Sequence, residues 1–164
     1  MSDLEFSSGA ANGKGKNSLQ VGEVGENATE ALGKYSLAVG YSHTIKDDKY
    51  PTITKGTGSV AIGKGNVTYG KQSAAFGCYS ITGDKNGTKW NAEGEPFAGT
   101  DTAGEDLGKN SLAAGYNNTA WGESTVALGT SNIVKGKASL ASGAENETYS
   151  YSSIALGHKN KVGN

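Results

Sequence analysis

The chain has 164 residues, of which 26 are glycine, 2 proline and 1 cysteine, and its formal charge is −1 from 15 basic and 16 acidic side chains. The length suits one domain, and with every basic residue a lysine and no basic face visible, nucleic acid is not expected as a partner. The single Cys78 excludes an intrachain disulfide and any multi-thiolate metal site, and no apolar run is long enough to span a bilayer.

Residues 1–14 carry little pattern and read as a flexible lead-in; MSDLEFSSGAANGKGK lacks the apolar core of a signal peptide. From Gly15 onwards a phrase recurs. It reads GKNSLQVG to Gly22 and GKYSLAVG to Gly40, with the extra residues around GEVGENATEA taken as an enlarged turn. GTGSVAIG follows to Gly63, after a charged, proline-bearing loop insertion near 46–54 (KDDKYPTIT). GKQSAAFG closes at Gly77, and a long Gly/Asp/Asn/Thr-rich insertion near 83–106 comes next. The phrase then returns as GKNSLAAG, GESTVALG, GKASLASG and SYSSIALG, closing at Gly115, Gly129, Gly143 and Gly157, each fourteen residues after the last. A fixed short period of this kind predicts a solenoid in which each repeat is one coil, because no single coil buries its own apolar side.

Within the phrase, aliphatic residues flank a position that is alanine in every copy except Gln20. Alternate residues of a strand face opposite ways, so one face carries larger aliphatics and the other alanine beside Ser and Gly. Which face lines the roll stays open at this level. The remaining face, repeated coil after coil, needs a cover, and side-by-side self-association supplies it. The other half of each coil is more polar: NVTY, NTAW, NIVK and NETY. Its first residue gives a column of Asn66, Asn118, Asn132, Asn146 and Asn160, read as corner residues that tolerate left-handed backbone and stack in a ladder. The closing glycines Gly22, Gly40, Gly63, Gly77, Gly115, Gly129, Gly143 and Gly157 serve the same turn.

These residues resemble the YadA-like head domain of trimeric autotransporter adhesins, whose fourteen-residue motif is matched literally by GSVAIG at 58–63. The resemblance covers most of 15–164 apart from the insertions. It implies an all-β, left-handed parallel β-roll assembled as a side-by-side homotrimer. It further implies a bacterial surface adhesin head, held outside the cell by an outer-membrane anchor and attaching to host cells, extracellular matrix or other surfaces. No neck, heptad run or anchor is present, so an isolated head fragment of a longer chain is expected. The leading alternative is a receptor-binding segment of a phage tail fibre or tailspike.

No catalytic, cofactor-binding or metal constellation is expected, and the chain is read as a non-enzyme. His43 and His158 read as turn histidines, Asp47–Asp48 as a solvated loop tip, and the N-x-T triplets at Asn66, Asn86 and Asn146 as turn asparagines rather than glycan sites. A solenoid lyase or hydrolase would need an acidic cluster on adjacent coils, and an ice-binding coil a ladder of TxT; neither appears. Tyr50, Trp90 and Phe97, aromatics on the insertions, are the candidate partner-binding residues. The competing reading packs them against a neighbouring subunit. Eight to ten coils stacked at about 4.8 Å would make a rod roughly 40–50 Å long.

Overall fold

The computed structural model describes residues 15–22, 29–41, 43–45, 48–50, 52–83, 88–90, 96–98 and 108–163. Residues 1–14 and 23–28 and most of 84–107 lie outside the described residues. Each phrase forms a long strand, from Leu19–Gly22 and Leu37–Tyr41 through Val60–Lys64 and Ala74–Cys78 to Leu112–Tyr116, Val126–Thr130, Leu140–Ala144 and Ile154–His158. The polar half-coil forms a two-residue strand, as at Val67–Thr68, Thr119–Ala120 and Ile133–Val134. The long strands make one eight-stranded sheet and the short strands another, each in chain order. The coil-to-coil pairing is parallel, with Leu112 opposite Val126 and Val126 opposite Leu140. Two walls joined by two turns per coil make a parallel β-roll, and among the described residues there is no helix.

The alanine face lines the interior. Ala38, Ala61, Ala75, Ala113, Ala127 and Ala141 are wholly buried, and Gln20 stands in the same column of the first coil. Facing them from the short wall are Ala31, Thr54, Thr68, Thr82, Ala120, Val134 and Thr148, also buried. Small side chains on both walls let the walls lie close, so the core is thin. The large aliphatics of the long wall point outward.

Polar ladders edge this core at both turns. At one turn the Ser or Thr of the phrase donates to a backbone carbonyl of its own or the next coil, as Ser111 does to Gly122 at 2.8 Å and Ser59 to Gly56 at 2.6 Å. Across the core Thr68 donates to Ser59 and Thr54 to Ser36. At the other turn the asparagines stack as expected. Asn132 Nδ2 lies 3.0 Å from Asn118 Oδ1, 2.8 Å from Leu128 O and 2.9 Å from Gly143 O, and Asn146 repeats the pattern on Asn132. Buried polar groups are costly unless paired, and the repeat pairs them coil by coil.

Several expectations change. The corner asparagines are not themselves left-handed; the residue before each of them is, as Asn117, Ser131, Glu145 and Lys159 are at φ between 54° and 58°. The residue before the ladder Ser or Thr is left-handed too, at Tyr35, Gln72, Asn110, Ser124, Ala138 and Ser152. Asn has to keep an ordinary conformation to aim its amide along the stack, and its neighbour makes the bend. Ile53–Thr54, read as part of the insertion near 46–54, is a roll strand, with Thr52 and Thr54 wholly buried. Glu30–Ala31, read with the enlarged turn, and Ile81–Thr82 are likewise short strands of the roll. His43 and His158 sit at strand ends rather than in turns. The asparagines of two N-x-T triplets, Asn66 and Asn146, are wholly buried in the ladder; Asn86 lies outside the described residues.

The insertions leave the roll at different turns. Residues 23–28 and 42–51 come after a long strand in the chain, whereas 84–107 come between Gly83 and Gly108, after a short strand. A Cβ built on Gly108 would lie 2.2 Å from Gly83 N, so the two ends are already adjacent. In the regular coils the same two places are joined by one peptide bond. Deleting 84–107 is therefore expected to leave the far-ultraviolet circular dichroism and the unfolding midpoint essentially unchanged; a collapse of either would show that the segment holds the roll together.

Asn132→Ala removes an amide that serves three carbonyl-type acceptors in a buried turn, and is expected to cost about 1–3 kcal/mol in chemical denaturation. Asn132→Thr should cost less, because Thr52 fills the corresponding corner and donates to Gly63 O at 3.1 Å.

Candidate interaction surface

With alanine inward, the outer face of the long wall carries two columns. The first holds Leu19, Leu37, Val60, Ala74, Leu112, Val126, Leu140 and Ile154; the second holds Val21, Val39, Ile62, Phe76, Ala114, Leu128, Ser142 and Leu156. Where one column drops to a small residue the other compensates, as Ala74 does beside Phe76 and Ser142 beside Leu140. Most of these side chains are half-buried by their neighbours one coil above and below. In the last coil, with a neighbour on one side only, Ile154 and Leu156 are each 61% exposed. The face is a continuous apolar stripe running the length of the roll, wider than a lone apolar side chain needs any explanation for.

The turn after the long wall groups aromatic and cationic residues from successive coils. Tyr79 and Tyr116 meet edge to face with centroids 6.0 Å apart, and Lys64 Nζ lies 5.4 Å from the Tyr79 ring centre. Cys78 sits here, half-buried; burial pushes its thiol up and Lys64 opposes this. Further along the same turn Glu145 lies 3.6 Å from both Lys159 Nζ and His158 Nε2.

The short wall shows a different exterior. Tyr149 lies beneath two ammonium groups, with Lys135 Nζ 4.4 Å and Lys161 Nζ 5.1 Å from its ring centre, and its hydroxyl donates to the Glu147 carboxylate.

The three aromatics singled out in the insertions are not brought together by pairing. Tyr50 stands opposite His43 in an antiparallel hairpin of His43–Ile45 with Asp48–Tyr50. Trp90 stands opposite Pro96, and Lys89 opposite Phe97, in a second hairpin. Their side chains lie outside the described residues. Sequence reasoning missed Thr29, Thr52 and Ser80, which fill the asparagine corner in the irregular coils. Thr29 and Thr52 each donate to the closing glycine of the next coil, at 2.8 and 3.1 Å, and Ser80 lies 3.4 Å from that of its next coil. Counting four back from the following phrase glycine finds Thr29 and Thr52, and counting three forward from the closing Gly77 finds Ser80.

Among the described residues no group of three His, Cys, Asp or Glu could hold a metal ion, and no helix is long and apolar enough to cross a membrane.

Residues 55–77 and 107–132 each match the YadA head domain repeat, together under a third of the chain. These coils are YadA-like head repeats. The coils outside the matched segments keep the same columns: Ser139, Ala141 and Asn146 continue Thr125, Ala127 and Asn132 in register. The repeat thus runs on beyond the two matched copies. No curated protein matches the chain, and no solved structure does.

Burial first, and then the Glu147 hydrogen bond and charge, push the Tyr149 phenol up to about 12. A raised pKa means the protonated phenol is favoured on folding, so its contribution is present below the ordinary phenol value of about 10 and is lost as pH rises through 12. An ultraviolet titration is expected to show one late tyrosine transition, and Glu147→Gln should move that transition down. A late transition that survives Glu147→Gln unmoved would leave burial as its sole cause.

Proposed function

We propose that this chain is the head of a bacterial surface adhesin, a non-catalytic rod that acts as a side-by-side homotrimer of left-handed rolls. It attaches to host cells, extracellular matrix or other surfaces from the outside of the cell, held there by an anchor in a longer natural chain. The YadA-like head repeats support this reading. The observation that carries it is the distribution of apolar bulk. Among the described residues the fully buried side chains are alanine, serine, threonine, asparagine and one valine, Val134. The leucines, valines and isoleucines of the long wall lie outside, where burial against identical stripes would recover about 25 cal/mol for each Å² removed from water. Three copies around an axis repeat every surface feature threefold, so weak contacts add through avidity. The hairpins bearing Tyr50, Trp90 and Phe97 are the candidate anchoring points of this display, and residues 15–164 its single unit.

Light scattering across a dilution series tests the assembly. The expected result is a trimer mass that persists on dilution for the unaltered chain. Leu128→Lys, central in the stripe, should shift it towards monomer and lower the unfolding midpoint. A well-folded monomer at every concentration, equally stable with lysine at 128, would overturn the trimeric reading. Beads coated with the trimer are expected to adhere to matrix-coated surfaces more than beads coated with the Leu128→Lys chain.

A further inference from the structure

The formal charge of −1 hides a strong segregation. The coils of the roll hold ten lysines against four glutamates, a balance of +6, while the lead-in and the three insertions hold five lysines against twelve acids, −7. Much of the positive charge lies on one edge, the turn that leads from each short strand into the next long strand. Immediately after the phrase glycine stand Lys16, Lys34, Lys71, Lys109 and Lys137, and Glu123 is the only acid in that column. Successive coils are hydrogen-bonded at this turn: Tyr35 N donates to Lys16 O, Asn110 N to Lys71 O and Ser124 N to Lys109 O, at 2.8–3.0 Å. The lysines therefore emerge along one edge of the roll, whose coils step by about 4.8 Å, with Thr57, Glu123 and Tyr151 taking the other places in the column.

Just before the phrase glycine, a second column interleaves lysine with flat aromatic rings: Lys55, Tyr69, Trp121, Lys135 and Tyr149. Lys55 Nζ sits 4.7 Å from the Tyr69 ring centre and Lys135 Nζ 4.4 Å from that of Tyr149. These ammonium groups rest on ring faces. Lys137 lies 3.8 Å from Glu123, with both side chains about two-fifths exposed, and such a pair holds its lysine only weakly. Of the other three glutamates, Glu145 lies at the opposite turn with Lys159 and His158. Glu30 and Glu147 belong to the short strands, and the Glu147 carboxylate accepts from the Tyr149 hydroxyl beside the edge.

We propose that this lysine–aromatic edge binds a linear polyanionic polysaccharide of the sulfated glycosaminoglycan class, laid along the roll axis. A row of point charges suits sulfate and carboxylate groups carried at intervals on a stiff chain. Nucleic acid fits less well, since no arginine is present to grip phosphates bidentately or read base edges. The inference deepens the attachment reading above by naming a partner class, and in a trimer each of the three rolls carries the edge.

Heparin is the probe, titrated against the full chain at several salt concentrations. The expected result is binding that weakens steadily with salt, as multiple charge contacts require. Lys34→Gln/Lys71→Gln/Lys109→Gln together should weaken it by about tenfold or more, whereas Lys64→Gln/Lys159→Gln at the opposite turn should change it by less than about twofold. Fully desulfated heparin should bind far more weakly. Matching unfolding midpoints establish that the variants are folded; if the triple variant is not, Lys71→Gln alone should give a smaller loss in the same direction. Equal binding by the edge variant and the unaltered chain, an equal loss in the opposite-turn variant, undiminished binding of desulfated heparin, or tighter binding of single-stranded DNA would each overturn the proposal. Absence of heparin binding while the unaltered chain still adheres to matrix-coated surfaces would overturn this site and leave the adhesin reading standing.

Discussion

Everything in this roll depends on how closely one coil lies on the next at the closing glycines. A Cβ placed on Gly63 would fall 2.0 Å from the carbonyl oxygen of Gly77, and one on Gly129 would fall 2.1 Å from that of Gly143. The space a side chain would take is used by a hydrogen bond instead. Asn66 Nδ2 reaches the same Gly77 oxygen at 2.8 Å, and Asn132 Nδ2 reaches that of Gly143 at 2.9 Å. Glycine and the corner amide are thus two parts of one arrangement. The glycine admits the carbonyl of the next coil, and the asparagine satisfies it. The phrase glycine makes an equivalent approach at the other turn, where a Cβ on Gly56 would lie 1.9 Å from Gly70 O.

Close stacking at both turns accompanies a narrow interior, and the narrow interior decides where apolar bulk can go. Alanine fits between the walls; leucine and phenylalanine do not. The aliphatic residues of each phrase are therefore displaced to the outer face, where they line up because identical coils stack in register. A fold whose own core is rich in alanine, threonine and asparagine gains little from burying large side chains internally. It stands on its hydrogen-bond ladders and on whatever covers the stripe. The outward apolar stripe follows from the same geometry that sets the coil, and so does the freedom of the remaining turns and the short wall to vary.

That freedom appears in the charge pattern. Acidic residues gather in the lead-in and in the insertions 23–28 and 84–107, and lysines gather on the coils, so a sum over the chain reports almost nothing. The recurrent GK at the start of five phrases was visible in the sequence. Its meaning was not, because a lysine every fourteen or more residues is unremarkable along a chain and becomes a line of charge only when the coils stack. The aromatic column beside it is spread over Tyr69, Trp121 and Tyr149, too far apart in sequence to suggest a common edge.

By itself the sequence determined the solenoid, the period, the place of each long strand and the ladder of Asn118, Asn132, Asn146 and Asn160, since these repeat at fixed spacing and any reader can align them. Tertiary structure alone decided which face turns inward, because alternation defines two faces without saying which pair of walls will close. It reclaimed Ile53–Thr54 and Glu30–Ala31 for the short wall. Two residues are too few to show a period, and only pairing with the neighbouring coil distinguishes them from a loop. It also moved the left-handed bends onto residues as unsuited to them as Tyr35, Gln72 and Lys159. Those conformations are imposed by hydrogen bonds between coils, and the local sequence has no means of announcing a bond to a strand that is fourteen residues away.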